Sequence, residues 1–286
     1  MKKTIQSIRE SLSPYYGPSE IESFTALIFN CIFGYSRKEM ILKSNHILPE
    51  SGYQKVAMIV SRLKQHEPIQ YILGETEFYG LKIKVEPGVL IPRFETEELV
   101  DLIIKREKGL NVKILDIGIG SGCIAISMKK NLPGSDVWGC DISDTALRVT
   151  RENAALNDVS LTLEKFDILG KETFRENRFD IIVSNPPYVT EKEKQVMQKN
   201  VLDFEPWLAL FVPDNDPLIF YRAIVYQAKQ ILIPGGKLYF EINETYGNEI
   251  SALMTGNGYT VEIIKDINGK ERIALGKQNN RKFGKV

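Results

Sequence analysis

Little in this chain invites metal or thiol chemistry. Its 286 residues include three cysteines and two histidines. Cys31, Cys123 and Cys140 lie far apart in apolar contexts without metal-ligand spacing, a pattern of buried free thiols in a reducing compartment. Neither His46 nor His66 stands beside a cysteine or an acid cluster, so no metal is expected. Net charge is missing too, because 37 basic and 37 acidic side chains cancel. That balance argues against a broad cationic surface for nucleic acid, although a local patch remains compatible with it. No uninterrupted apolar run approaches transmembrane length, and residues Met1 to Glu10 lack the apolar stretch of a signal peptide. A soluble, cytoplasmic protein with no membrane partner is expected. The length allows one large domain and a smaller one.

What is present is concentrated at the ends of short apolar runs. Phe179 to Ser184 is rich in β-branched residues and is stopped by Asn185-Pro186-Pro187-Tyr188. Proline fixes its own φ, lacks an N–H and pushes the preceding residue away from helix, so the run reads as a buried strand ending in a rigid, extended corner. Such a corner offers a side-chain amide, free backbone carbonyls and an aromatic ring. It can accept both N–H groups of a planar nitrogen and stack its face. Alone, a proline-stiffened turn explains the same four residues.

Upstream, Ile114 to Asp116 leads into Ile117-Gly118-Ile119-Gly120-Ser121-Gly122 and a small-residue helix. Glycines let backbone approach a ligand closely, and helix-start N–H groups can bind it. The spacing G-x-G-x-G differs from the dinucleotide fingerprint. A second strand, Val137 to Cys140, delivers Asp141, 19 residues past Gly122, where an acid suits ribose hydroxyls. Strand-end Asp116, Asp141, Asp167 and Asn185 would converge on one crevice.

The chain begins with helical periodicity. Ile21, Phe24, Leu27, Ile28, Cys31 and Ile32 form one apolar face, Ser36 and Glu39 fit a capping box, and Val56, Ile59, Val60 and Leu63 mark a further helix. From Tyr71 to Val85 the period changes to two, with a turn at Tyr79-Gly80. Strands are predicted at 112–116, 137–141, 160–166, 179–184, 237–242, 260–264 and 272–275, alternating with helices. That alternation implies α/β architecture with a mainly parallel sheet.

In this order the glycine loop, ribose acid and Asn-Pro-Pro-Tyr corner resemble a class I S-adenosylmethionine-dependent methyltransferase acting on an exocyclic amino or amide nitrogen. Pro68 to Gly74, Glu77 to Gly80, Val89 to Glu97, Glu205-Pro206 and Lys265-Asp266 narrow the resemblance to the HemK-type release-factor glutamine methyltransferases. The resemblance implies a doubly wound, Rossmann-like seven-stranded sheet, with the last two strands antiparallel. Its implied divisions are a helical docking domain at 1–68, a β-hairpin linker at 69–90, the methyltransferase domain at 91–277 and a flexible tail at 278–286. S-adenosylmethionine would become S-adenosylhomocysteine, and class 1 peptide chain release factors would be the protein substrate, methylated at the glutamine of a Gly-Gly-Gln loop. A monomer without direct nucleic-acid contact is expected.

Under this resemblance Gly118, Ile119, Gly120, Ser121 and Gly122 hold the methionine part of the cofactor, and Asn185 also contacts the cofactor. Asp141 takes the ribose, while Asp167 and Ile168 border the adenine; a plain turn role for Asp167 is the alternative. Asp116 orients the loop or reaches the cofactor's ammonium. Asn185 and Pro186 accept the two amide hydrogens, and Tyr188 stacks on the amide plane, with Pro187 completing the substrate corner. Arg93, Glu95 and Glu97 frame the substrate entrance or form a helix-start ion cluster. Glu205-Pro206-Trp207 forms a wall beside the corner. Phe94 stands where the family has proline and Asn243 where it has glycine, which leaves the local loop geometry open. The rival readings are methylation of a base amino group, a nicotinamide oxidoreductase, and a cofactor-binding protein without catalysis.

Overall fold

The computed structural model describes residues 1–174, 176 and 178–279, and the chain divides into two compact units. The first unit comprises Met1–Glu75 and Gln198–Phe204. Helices α1 (Lys2–Leu12), α2 (Pro18–Phe33), α3 (Arg37–Leu42), α4 (Glu50–Leu63) and α5 (Ile69–Leu73) bury Ile8, Leu12, Ile21, Ile28, Phe29, Ile59 and Leu63 in a common core. Most of these helices are too short to be stable alone, and burial of their apolar faces in this shared core is what holds them. The Ser36 capping box forms as expected: Glu39 Oε2 accepts from Ser36 N at 2.9 Å, and Ser36 Oγ accepts from Glu39 N at 3.3 Å.

Two expectations for this region need correction. The buried stripe of α2 is Ile21, Thr25, Ile28 and Phe29, which turns Cys31 outward, so only Cys123 and Cys140 are buried thiols. The segment expected to begin the hairpin is helical over Ile69–Leu73, because Pro68 opens a helix and Gly74, at φ 78°, ends it. The hairpin proper is β1 (Glu75–Phe78) and β2 (Leu81–Lys84), turning through Tyr79 and Gly80, both at positive φ.

The second unit spans Thr76–Met197 and from Glu205 onward. After α6 (Phe94–Glu107) come β3 (Lys113–Ile117), α7 (Cys123–Asn131), β4 (Asp136–Asp141), α8 (Asp144–Leu156), β5 (Thr162–Lys165) and β6 (Phe179–Ser184). A short strand β7 (Val189–Thr190), a 3-10 turn at Glu191–Val196, α9 (Lys199–Phe204, within the first unit), α10 (Trp207–Leu210) and β8 (Phe211–Val212) follow. The chain continues with α11 (Ile219–Ile231), β9 (Leu232–Glu241), α12 (Gly247–Gly256), β10 (Tyr259–Lys265) and β11 (Glu271–Gln278).

Seven strands form one sheet in the order β10-β11-β9-β6-β3-β4-β5. All recorded pairings from β5 to β9 are parallel, and β11 runs antiparallel to both of its neighbours. Strands such as Ile181-Ile182-Val183 are buried on both faces, which is why they read as continuous apolar runs instead of alternating ones. The strand expected from residue 237 begins earlier, at Leu232, because Pro234-Gly235-Gly236 lies inside β9, at a bulge between the Phe179–Leu232 and Ile181–Lys237 pairings. Strand β11 runs to Gln278, one residue into the expected tail, and residues 280–286 lie outside the described residues. From β3 the chain steps outward to β4 and β5, then crosses back to β6 on the other side. This reversal opens a crevice at the carboxyl ends of β3 and β6.

Candidate active site

The glycine loop leaves the carboxyl end of β3 and is held by its neighbours. Gly118 and Ile119 N–H both donate to the Cys140 carbonyl, at 2.9 and 3.0 Å, and Gly120 N–H donates to Asp141 Oδ2 at 3.0 Å. Thr150 Oγ1 donates to the Gly120 carbonyl at 3.0 Å, and Asn153 Nδ2 to that of Ser121 at 2.9 Å. Asn153 also exchanges hydrogen bonds with the backbone of Lys84, tying the hairpin to the same helix. Several N–H groups expected to face a ligand are thus engaged within the protein. What the loop presents instead is space. A Cβ on Gly118 would meet nothing within 4 Å, and one on Gly120 only the Gly118 carbonyl at 4.0 Å.

Asp141 stands between Gly120 and its own helix start, with Oδ1 accepting from Ser143 N at 2.9 Å. Burial raises its pKa against those hydrogen bonds. Asp116 is fully buried, and neither carboxylate oxygen has a regular hydrogen bond. Burial pushes its pKa up to about 8; the Ala125 N–H opposes this and the Asp141 charge adds to it. Asp167 is exposed, and its Oδ1 accepts from Leu169 N at 2.9 Å. Ile168 is half-buried against the main core. Burial also raises the pKa of Cys123, to about 12, and that of Cys140, so neither thiol is poised as a nucleophile.

Asn185 follows β6 in the next crevice position. Ser184 Oγ donates to the Ile117 carbonyl at 2.7 Å, fastening this strand end to β3. Asn185 Nδ2 donates to Thr96 Oγ1 at 3.2 Å, and Thr96 Oγ1 donates to Glu241 Oε2 at 2.6 Å. Tyr188 OH donates to Glu241 Oε1 at 3.1 Å, and Tyr221 OH to the Glu241 carbonyl at 3.1 Å. Burial raises the Glu241 pKa, while the Thr96 and Tyr188 hydroxyls and the Arg272 charge oppose the shift. Tyr188 is raised by burial first and Glu241 second, so it remains a protonated donor. Thr96 and Glu241 were not among the expected site residues. Their signal was Thr96 inside the Pro92-Arg93 segment and Glu241 closing a strand.

The structure also assigns contacts to the flanking acids. Glu205 is buried, its Oε1 pairing with Arg93 at 2.7 Å and its Oε2 accepting from Ile91 N at 3.3 Å, so it braces the Ile91-Pro92-Arg93 corner. Glu97 Oε1 accepts from Tyr79 N at 2.8 Å, and Glu95 is half-buried close enough to raise the Glu241 pKa. Val189 pairs with Phe211, which brings the exit of the corner alongside Trp207, whose ring carries Lys194 Nζ at 3.9 Å.

Residues 4–74 match the PrmC N-terminal domain and residues 95–203 the methyltransferase small domain. A release factor glutamine methyltransferase of Bacteroides thetaiotaomicron is 47% identical, over 96% of this chain and 98% of its own. The chain belongs to the release factor glutamine methyltransferase family. A second such relative, from Flavobacterium psychrophilum, is 45% identical over 92% of this chain and 94% of its own. A methyltransferase of Pyrococcus furiosus, 20% identical, superposes with a TM-score of 0.51 over 70% of this chain and 90% of that one, a likeness of fold.

Membership of this methyltransferase family implies use of S-adenosylmethionine, and the residues present fit it. The open glycine loop leaves room for ligand atoms, Asp141 stands at the second strand's end, and a buried acid without a regular partner lies beneath the loop. Phe94, in place of the family's proline, is the first residue of α6, where proline is favoured but not required. Asn243 replaces glycine without a positive φ; it donates to Glu193 Oε1 at 3.1 Å and accepts from Thr245 N at 3.0 Å. Among the described residues no group of three or more His, Cys, Asp or Glu side chains could hold a metal, and no helix is long and apolar enough to cross a membrane.

Proposed function

We propose that this protein methylates the side-chain amide nitrogen of a glutamine in the Gly-Gly-Gln loop of class 1 peptide chain release factors, as a cytoplasmic monomer using S-adenosylmethionine and no metal. The observation that carries the reading is the Asn185 corner, seated at the carboxyl end of β6 beside the open glycine loop. The family relatives support glutamine as the nitrogen's source.

In this reading Gly118 to Gly122 and Asp141 hold the cofactor, and Asp167 and Ile168 border its adenine. The bound cofactor supplies a methyl group already activated by a positive sulfur. An amide nitrogen is a poor nucleophile because its lone pair is delocalised into the carbonyl. Asn185 Oδ1 and the Pro186 carbonyl accept the two amide hydrogens, which favours pyramidal nitrogen and stabilises the positive charge developing there. Tyr188 packs against the amide, with Pro187 stiffening the backbone between them. These contacts hold the nitrogen in line for attack at about 3–3.5 Å. No strong base is required, because the methylated nitrogen is acidic and loses its proton late.

The test is transfer of labelled methyl from S-adenosylmethionine to a purified release factor, followed by mapping of the modified residue. Label on the loop glutamine, lost in a Gln→Ala substrate, is expected. Label that persists in that substrate, or that goes only to nucleic acid, would overturn the reading. Asn185→Ala should lower turnover about a hundredfold or more with little change in cofactor affinity; near-normal turnover would remove Asn185 from the mechanism.

A further inference from the structure

The reading above rests on Asn185 presenting its oxygen to the substrate, yet a primary amide can present either end. We propose that Glu241, acting through Thr96, is the positioning residue that fixes which end faces the substrate, and that it anchors Tyr188 by the same carboxylate.

The argument is one of counting protons. The Thr96 hydroxyl has one hydrogen, and it stands 2.6 Å from Glu241 Oε2. A carboxylate only accepts, so that hydrogen goes to Glu241. The Thr96 lone pairs then face Asn185, which must meet them with its NH2 group, as the 3.2 Å contact shows. Oδ1 is left over, and among the described residues no side chain or backbone N–H donates to it. The acceptor needed for a substrate amide hydrogen therefore follows from a buried carboxylate one strand away.

Glu241 is itself well fixed. It is 1% exposed, pairs with Ile273 across β11 and receives Tyr221 OH on its carbonyl. Ser184 lies beside Phe240 in the parallel β6–β9 register, so Asn185 and Glu241 leave adjacent strands at one level. The second carboxylate oxygen takes the Tyr188 hydroxyl. One side chain thus holds the first and last residues of the Asn-Pro-Pro-Tyr corner. Without the Thr96 hydroxyl the Asn185 amide can turn. An NH2 facing a substrate NH2 opposes donor to donor.

The experiment measures methyl transfer to the release factor by wild type, Thr96→Val, Thr96→Ser, Asn185→Ala and the Thr96→Val/Asn185→Ala double variant. Thr96→Val should lose about ten- to a hundredfold in kcat, with substrate KM and cofactor Kd within about threefold. Thr96→Ser should recover most of that loss. In the Asn185→Ala background Thr96→Val should have no further effect, because Thr96 acts through Asn185. A Thr96→Val enzyme with unimpaired kcat, or one whose loss multiplies with that of Asn185→Ala, would overturn the proposal. Should Thr96→Val fail to give a cooperative melting transition, Thr96→Ala carries the same comparison, since it also removes the hydroxyl that Asn185 meets and leaves Glu241 its Tyr188 partner. Wild-type enzyme that leaves the release factor unlabelled would overturn the functional reading and this inference with it. Active wild type with an unimpaired Thr96→Val overturns this inference alone.

Discussion

Gly120 and Gly122 sit two residues apart in the same turn, both at positive φ, and adding one methyl group to each should have different consequences. At Gly120, φ +57, a Cβ meets only a carbonyl 4.0 Å away. Gly120→Ala therefore adds only the left-handed backbone cost of about 1–2 kcal/mol, a melting shift of roughly 2–8 °C. At Gly122, φ +82, the Cβ would lie 2.8 Å from Thr150 Cγ2 and 3.0 Å from both Thr150 Oγ1 and Ile126 Cδ1. Thr150 cannot simply rotate away, because its hydroxyl is bonded to the Gly120 carbonyl. Overpacking adds about 1–3 kcal/mol to the same backbone cost, for a total of about 2–5 kcal/mol.

If the open space at Gly120 is where the cofactor packs, its methyl group is met when ligand binds. The same overpacking of about 1–3 kcal/mol then weakens binding by roughly five- to 150-fold. Titration calorimetry with S-adenosylmethionine, alongside melting curves without ligand, separates the two variants. Gly120→Ala should lose affinity with a small loss of stability. Gly122→Ala should be the less stable of the pair. A Gly120→Ala protein binding within twofold of wild type would refute the placement of the cofactor over this loop.

Other consequences are equally direct. Arg93→Met leaves the Glu205 carboxylate, 1% exposed, without its ion-pair partner; a loss of about 3 kcal/mol in urea unfolding is expected, the low end for a buried pair because Arg93 is 32% exposed, and adding Glu205→Gln should restore most of it. Asp116 stays protonated in the folded protein until about pH 8, whereas its ordinary value is 3.8. The unfolded chain therefore holds fewer protons across that interval, and stability falls as pH rises from about 4 to about 8, then levels off. Asp116→Asn removes this term, so the variant's melting temperature relative to wild type should climb from pH 5 to pH 8; a constant difference would show that the carboxyl is not held neutral. Methyl transfer should persist after exhaustive treatment with EDTA, and its loss with recovery on adding a divalent ion would contradict metal-independent chemistry.

Sheet and loop were legible because each rests on local chemistry. Strand β6 is an apolar run that two prolines must end, and the glycine loop needs residues that tolerate positive φ at Gly118, Gly120 and Gly122. The short helix at Ile69–Leu73 was misread because five residues are too few to display a period, so Pro68 and Gly74 decide it. Cys31 was misplaced for a related reason: an apolar residue at helical spacing can lie just beyond the buried stripe, and only packing shows where the stripe stops. Glu205 was placed as part of a wall, and its ion pair with Arg93 spans 112 residues of chain that no local pattern connects.

The same limit explains why Thr96 and Glu241 went unnoticed while Asn185 did not. They are 145 residues apart, and nothing near either one calls for the other. What joins them is the parallel register of β6 and β9, which sets Asn185 level with Glu241, and the first turn of α6, which places Thr96 between them. An asparagine between a strand and two prolines has a position but no polarity, since its amide can face either way. The polarity comes from a proton that must leave Thr96 for a buried carboxylate. A four-residue motif therefore specifies where a planar nitrogen can sit, and the neighbouring strand specifies whether the site meets it with an acceptor. A chain that kept Asn185-Pro186-Pro187-Tyr188 but lost the carboxylate at position 241 would retain the shape of the corner and lose the direction of its chemistry.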